Sequence, residues 1–451
     1  MRVLAACILA LLVAAALVAT AVAYASAHQK PQRQPVKLPK DRWAVVGTGL
    51  AAATTVYYMA PPLRAATSMR EASTRFGGRI LTSPKSIAPM NTVTQALELG
   101  AWMFDAFEHT RLKALLLELQ ITTYLQVFYP SQSFTFFGGT RQPWPPVPVV
   151  ADASQRYADV APATQAAWLA HTGIGVADAP DASVNAVWNT VIPITAAVVT
   201  GLGWQAVSTR AIVSTQVQYG RQLNTIRPGG AGVTLQYTSG DVEDVQGAVL
   251  ACGPADLAAI AGVTADTQAA IRNCLVPVTQ GVLYGQWAAK DVWWPRLGVD
   301  HAVVATDTYL GRVCTADAGT LRCKVTGQAA VTYWTDLIVK EGMAAAATAM
   351  ATMLATVFGM ETLPPPAFVS FRGWPNGLWL WKAGVDPAAA RKRMVRPCGP
   401  TVPVWWACAD ISDNQGWAEG AVEAGLAAAA AVNAYVDGAA DAAPNNAGQE
   451  K

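Results

Sequence analysis

Two glycine turns, set about one βαβ length apart, constrain this chain more than anything else in it. The run Trp43-Ala-Val-Val-Gly47-Thr-Gly49-Leu-Ala-Ala52 reads as an apolar strand entering a helix through Gly47-x-Gly49-x-x-Ala52. Glycines there permit the tight turn and leave backbone amides open to a pyrophosphate at the N-terminus of the new helix. An acidic residue about 20 positions further on is expected to take a ribose hydroxyl, and Glu71 is placed for it. Gly77-Gly78-Arg79 then supplies a second glycine turn, with a guanidinium that can fork onto phosphate. A lone G-x-G-x-x-A match is weak in a chain with 36 glycines. The two turns in this order are far more specific, and they call for a dinucleotide-binding α/β unit at the start of the folded part.

The combination of strand, glycine loop, Glu71-Ala-Ser-Thr-Arg-Phe-Gly-Gly-Arg-Ile-Leu-Thr82 and Glu98-Leu-Gly100-Ala101 resembles the flavin-containing amine oxidase family, monoamine and polyamine oxidases among them. A second match lies near the other end. Trp405-Trp-Ala-Cys-Ala-Asp410 followed by Gly416-Trp-Ala-Glu-Gly-Ala-Val-Glu-Ala-Gly425 is similar to that family's closing strand and flavin-contacting helix. The resemblance runs from about Trp43 to Val436. It implies a mixed α/β fold: a Rossmann-like FAD-binding domain of discontinuous segments, with an inserted substrate-binding domain. The expected division is 43–110, 203–261 and 370–436 for FAD, and 111–202 and 262–369 for substrate.

Composition narrows the classes. With 52% hydrophobic and 14% charged residues, 451 in all, the chain is long and apolar enough for two cored domains. A net charge of +2 without a basic block in the folded part gives no footprint for nucleic acid. The four histidines form no cluster with Cys or carboxylates at ligand spacing, so no metal is expected. Residues 1–27 carry an uninterrupted apolar run from Val3 to about Tyr24, closed by Ala25-Ser26-Ala27. A cleaved signal peptide and an uncleaved membrane anchor both fit, which places the protein in a secreted or lumenal compartment or on a membrane. Residues 28–42 read as a linker and 437–451 as a disordered tail. Cys314 and Cys323 bracket a turn-like insert; a hairpin-closing disulfide and two unpaired thiols are both open. Thr209 to Tyr237 reads as β-rich with a turn at Gly229-Gly230, the run from Asp244 as one apolar strand ended by Gly253-Pro254, and Arg111 onward and Gly342 to Phe358 as helices.

The resemblance carries functional expectations residue by residue. Gly47, Gly49, Ala52, Gly77, Gly78 and Arg79 match the phosphate-binding turns, Glu71 the ribose acid, and Gly100 the Leu-Gly-Ala stretch. Leu223 matches the position whose backbone meets adenine. Asp410 matches a strand-end acid near the ribityl chain, with a plain exposed carboxylate as the alternative. Ala418, Gly420 and Ala421 after Trp417 are small enough for a flavin ring to approach, and equally suited to close helix packing. Position 378 is Leu where covalently flavinylated members carry Cys, so the FAD is expected to be non-covalent. Trp379 and Trp417 match the two rings that flank the amine's approach; ordinary core is the competing reading in a chain with 16 tryptophans. Counting back from Lys290-Asp-Val-Trp293-Trp294 puts Tyr284 where many members place a lysine near the flavin.

The implied reaction is oxidation of a primary or secondary amine with an apolar body to an imine, O2 accepting the electrons as hydrogen peroxide. Two alternatives stand beside it: an FAD-binding protein without turnover, and a related desaturase or porphyrinogen-oxidase chemistry. The apolar Leu99-Gly-Ala-Trp102-Met103-Phe104 stretch lacks the arginine that amino-acid oxidases place there.

Overall fold

The computed structural model describes residues 43–83, 97–143, 195–199 and 204–438, apart from positions 106, 130, 213–214, 231, 318 and 383. The leader, the linker and the tail lie outside them.

A five-stranded parallel sheet forms the first layer, in the order Val217–Tyr219, Thr67–Glu71, Trp43–Val46, Gly247–Leu250, Val404–Trp406. Its central strands are buried throughout, as parallel strands covered on both faces must be. The chain leaves the first strand at Gly47, whose φ of +109° suits glycine alone and whose missing side chain leaves room for the Ala251 carbonyl. Helix Leu50–Tyr58 follows, with Ala51, Ala52 and Ala53 buried. Helix Ala418–Val436 packs on it where Gly425 faces Ala51 and Thr54; a Cβ there would stand 2.6 Å from the Ala51 oxygen. A three-stranded antiparallel sheet, Leu223–Gly229, Gly232–Tyr237 and Val242–Val245, shares a core with the parallel sheet through Ile226, Leu235, Val46 and Leu250.

The second layer is a seven-stranded sheet ordered Phe368–Trp381, Leu275–Gln286, Thr320–Thr326, Arg312–Asp317, Val303–Thr306, Phe134–Phe137, Thr140–Pro143. Only the Val303–Thr306 and Phe134–Phe137 pair is parallel. One face, with Leu283, Leu321, Val325 and Val313, packs on Trp334, Met350 and Leu354 of helix Gln328–Phe358. Among the described residues this helix alone is long and apolar enough to cross a membrane. It breaks at Gly342, φ 85°, and Met350 and Leu354 beyond the break are core residues.

Several expectations are corrected here. Residues 209–211, expected to open a β-rich stretch, instead close helix Gln205–Ala211: Val207, Ser208 and Ala211 are buried at helical spacing behind Trp204, whose indole donates to the Trp102 carbonyl at 2.6 Å. The β-branched residues had suggested a strand, but the apolar period is that of a helix. Asp244 to Leu250 divides between two strands in different sheets, and Gly253-Pro254 starts a helix. No disulfide joins Cys314 and Cys323. Cys323 is opposite Val313, and Cys314 is opposite Arg322, so the two sulfurs leave opposite faces of the sheet and enter separate cores.

Candidate functional site

At the carboxyl end of the parallel sheet the two glycine turns meet. Gly49 and Gly77 form an isolated bridge, and the Gly77 N–H donates to the Thr48 carbonyl at 3.0 Å. Gly77 and Gly78 both hold positive φ, 105° and 57°. A Cβ built on Gly49 would meet only the Gly78 Cα, 3.8 Å away. The two turns thus enclose a cradle that any side chain at 49 would fill, at the N-terminus of helix Leu50–Tyr58, where anions are favoured. Glu71 ends its strand beside this cradle. Its carboxylate accepts from Thr48 Oγ1 and from the Ser73 N–H and Oγ at 2.9 and 2.7 Å. The donor set and the unfilled space fit a dinucleotide. Leu223 is buried at the start of its strand, close to Arg221, whose N–H donates to the Glu71 carbonyl at 2.8 Å.

Arg79 and Asp410 form the next group. Arg79 Nη1 donates to Asp410 Oδ1 at 2.7 Å and to the Gly377 carbonyl at 3.0 Å. Asp410 is 1% exposed, which removes the reading of an exposed strand-end carboxylate. Its Oδ1 also accepts from the Trp379 N–H at 3.3 Å. Gly100 presses on the Arg79 backbone, where a Cβ would collide with the carbonyl; this close approach accounts for the glycine. Gly420 is likewise accounted for by Ser412 and Asn414, whose atoms fill the space of a side chain, so it serves packing rather than an approaching ring.

Trp379 and Trp417 lie on adjoining segments. Gly416 sits against Leu378 at 3.4 Å from a built Cβ, and Gln415 Oε1 accepts from the Trp381 N–H at 3.0 Å. Trp379 packs partly on the nucleotide-domain core. Trp417 precedes helix Ala418–Val436, whose first residue is Ala418, and its ring meets the edge of His109 at 4.9 Å. His109 was not singled out from the sequence. Its Nδ1 accepts from the Asp105 N–H at 3.0 Å, so the neutral ring carries its proton on Nε2. Burial holds its pKa down to about 4 against the opposing pull of Asp105. Glu419, also missed, is 1% exposed and accepts from the Arg111 and Leu112 N–H groups at 3.2 and 2.7 Å. It caps helix Thr110–Glu118 and thereby fixes His109 against Trp417.

Tyr284 is buried on the face of the seven-stranded sheet opposite helix Gln328–Phe358, and its hydroxyl donates to the Glu98 carbonyl at 3.1 Å. Glu98 itself is buried; burial pushes its carboxyl up to about 7, although the Trp204 N–H and Thr82 Oγ1 donate to it. Among the described residues no group of His, Cys, Asp and Glu could hold a metal.

No family model and no curated protein matches the sequence. Solved structures do match. Cyclohexylamine oxidase from Brevibacterium oxydans superposes with a TM-score of 0.70 at 17% identity, over 88% of this chain and 100% of that one. Putrescine oxidase bound to putrescine gives 0.64 at 16% identity, over 88% and 99%. This is the fold of the flavin amine oxidases. The glycine cradle, Arg79 with Asp410 and the tryptophan pair are this chain's own residues within that fold.

Proposed function

We propose that the chain binds FAD non-covalently and oxidises a primary or secondary amine to an imine, O2 accepting the electrons as hydrogen peroxide. The observation that carries this reading is the juxtaposition of the glycine cradle with the Trp379 and Trp417 segments through the Arg79–Asp410 pair. The flavin, when bound, supplies the two-electron acceptor; the protein positions and desolvates. Amides at the start of helix Leu50–Tyr58 would hold the pyrophosphate and Glu71 a ribose. Asp410, oriented by Arg79, would take a ribityl hydroxyl. Trp379 and Trp417 would hold the amine's carbon frame, exclude water and disfavour the ammonium form, since low polarity lowers an amine's pKa. Leu378, lacking a thiol, leaves no covalent link to the ring. The apolar N-terminal run supports a secreted, lumenal or membrane-anchored location.

Tyr284 favours a second reading, in which FAD is bound without oxidase turnover. Its hydroxyl is committed to the Glu98 carbonyl and brings no positive charge to that position. Denaturing the purified protein and assaying peroxide from a panel of amines separates the two. Free FAD with peroxide supports the oxidase; free FAD without peroxide supports the second reading; no FAD overturns both.

A further inference from the structure

Strand Phe368–Trp381 breaks step with its neighbour Leu275–Gln286 at one place. Trp374 stands opposite Gln280 and Leu378 opposite Val278, so Pro375, Asn376 and Gly377 bulge out against Thr279 alone. Asn376 turns the bulge through the left-handed region, φ 54°, which asparagine tolerates better than most side chains. The bulge folds back on its own start: a Cβ built on Gly377 would lie 3.0 Å from the Trp374 Cβ and from its carbonyl oxygen. Its far end serves the candidate site. The Gly377 carbonyl accepts from Arg79, and the Trp379 N–H, two residues on, donates to Asp410.

Trp374 is the anchored end. Its indole donates to the Leu99 carbonyl at 2.6 Å, next to Gly100, which presses on the Arg79 backbone. Two guanidiniums lie against the ring, Arg372 at 4.8 Å and Arg75 at 5.5 Å from its centroid. Arg372 belongs to the same strand, whereas Arg75 comes from the second glycine turn. There its Nη atoms gather the carbonyls of Phe76 at 3.2 Å, Ile80 at 3.0 Å and Gly78. Those three residues surround Gly77, whose bridge to Gly49 closes the cradle. The Arg75 N–H donates to Ser73 Oγ at 3.3 Å, and Ser73 in turn holds Glu71.

We propose that Arg75 and Trp374 are positioning residues that make one event of filling the cradle and setting the Trp379 ring. The guanidinium that closes the second glycine turn also bears on the indole that anchors the bulge, and the bulge ends beside Trp379. A guanidinium can hold carbonyls with its N–H groups while it rests on a ring, so one residue serves both segments. A dinucleotide that orders the turn thereby steadies the ring that would hold the amine, and the coupling runs equally in the other direction. The link to the amine rests on the amine oxidase reading; the link to the cofactor needs only the dinucleotide.

The rate at which FAD leaves the diluted full-length holoprotein, followed by the return of flavin fluorescence, tests the pair. Arg75→Met and Trp374→Leu are each expected to speed release about tenfold, the scale of one partly buried cation–π contact, although Trp374 belongs to the seven-stranded sheet and not to the cradle. Because the two act through each other, the double variant should release FAD no faster than the faster single one. Trp374→Phe restores a ring and should recover most of the retention. A second readout is the limiting rate of anaerobic reduction by benzylamine per bound flavin, which a residue that merely supports the fold would leave unchanged. It should fall about fivefold or more in Trp374→Leu, as misplacement of the amine implies, and recover in Trp374→Phe. A lowered melting temperature in Arg75→Met would transfer the decision to Trp374→Leu against Trp374→Phe. An unchanged release rate in Trp374→Leu, effects that multiply in the double variant, or no recovery with phenylalanine overturns the pairing; an unchanged limiting rate overturns its reach to Trp379. If no amine reduces the flavin of the unmodified protein, the amine oxidase reading fails while the release rates still decide the pair. Protein that holds no FAD overturns both.

Discussion

The nucleotide end of the molecule and the face of the large sheet that carries Tyr284 and Arg322 handle charge differently. At the nucleotide end the charged groups have partners within the chain: Arg70 pairs with Glu243, Arg79 with Asp410, and Glu71 is held by Thr48 and Ser73. What this end leaves open is space, at glycines whose side chains would fill the cradle. On the sheet face Arg322 donates to a carbonyl and stacks on an indole, with no carboxylate in an ion pair with it among the described residues. The difference indicates what each arrangement is built to do. A cradle of amides and glycines accepts a group whose shape is fixed; an arginine spread over carbonyls and an indole ties separate backbone segments together.

The largest effect expected is at the cradle. Gly49→Val should reduce FAD affinity by roughly 3 kcal/mol or more, the upper scale of forcing methyl groups into occupied space. The flavin-to-protein absorbance ratio after gel filtration checks this. A stoichiometric ratio in the variant would break the contrast, because space would then not be what the cradle provides.

Next come the tryptophans. Trp379→Ala should slow reduction of the flavin by amine on the order of 100-fold while FAD content holds, since truncation loosens the amine's approach more than it weakens cofactor binding. Trp417→Ala should slow it similarly and shed some FAD, because Trp417 adjoins the helix beginning at Ala418. Rapid-mixing spectroscopy measures both. Insoluble, flavin-free protein from either variant would assign the ring to core instead.

Glu71→Ala should weaken FAD binding by roughly 1.5 to 3 kcal/mol, the worth of hydrogen bonds to a charged group, without lowering the melting temperature much. Its bonds to Thr48 and Ser73 lie in exposed or half-buried surroundings, so the fold has little to lose. Unchanged affinity would place the ribose elsewhere.

The cradle was legible in the sequence because its information is local. Gly47, Gly49, Glu71, Gly77 and Gly78 act through turns and a strand end that spacing alone defines. Asp410 was legible as an acid but not as the buried partner of Arg79, since that pair joins residues 331 positions apart. The contact of Arg75 with Trp374 was invisible for a related reason. It joins distant parts of the chain, and the bulge after Trp374 appears only once the strand register is known. Thr209 to Ala211 were read with the β-rich stretch that follows them, whereas Trp204 and the residues behind it are buried at helical spacing. Cys314 and Cys323 looked joinable across a turn; a register in which they alternate faces is not readable from spacing alone.

The cradle and the two tryptophans are proposed to make together an FAD site that oxidises amines. The most direct measurement is the visible spectrum of the purified, full-length protein under anaerobic conditions, before and after addition of simple amines. The account predicts a yellow protein whose flavin bands bleach on addition of an amine and return on admission of oxygen. A flavin spectrum that no amine alters would contradict it.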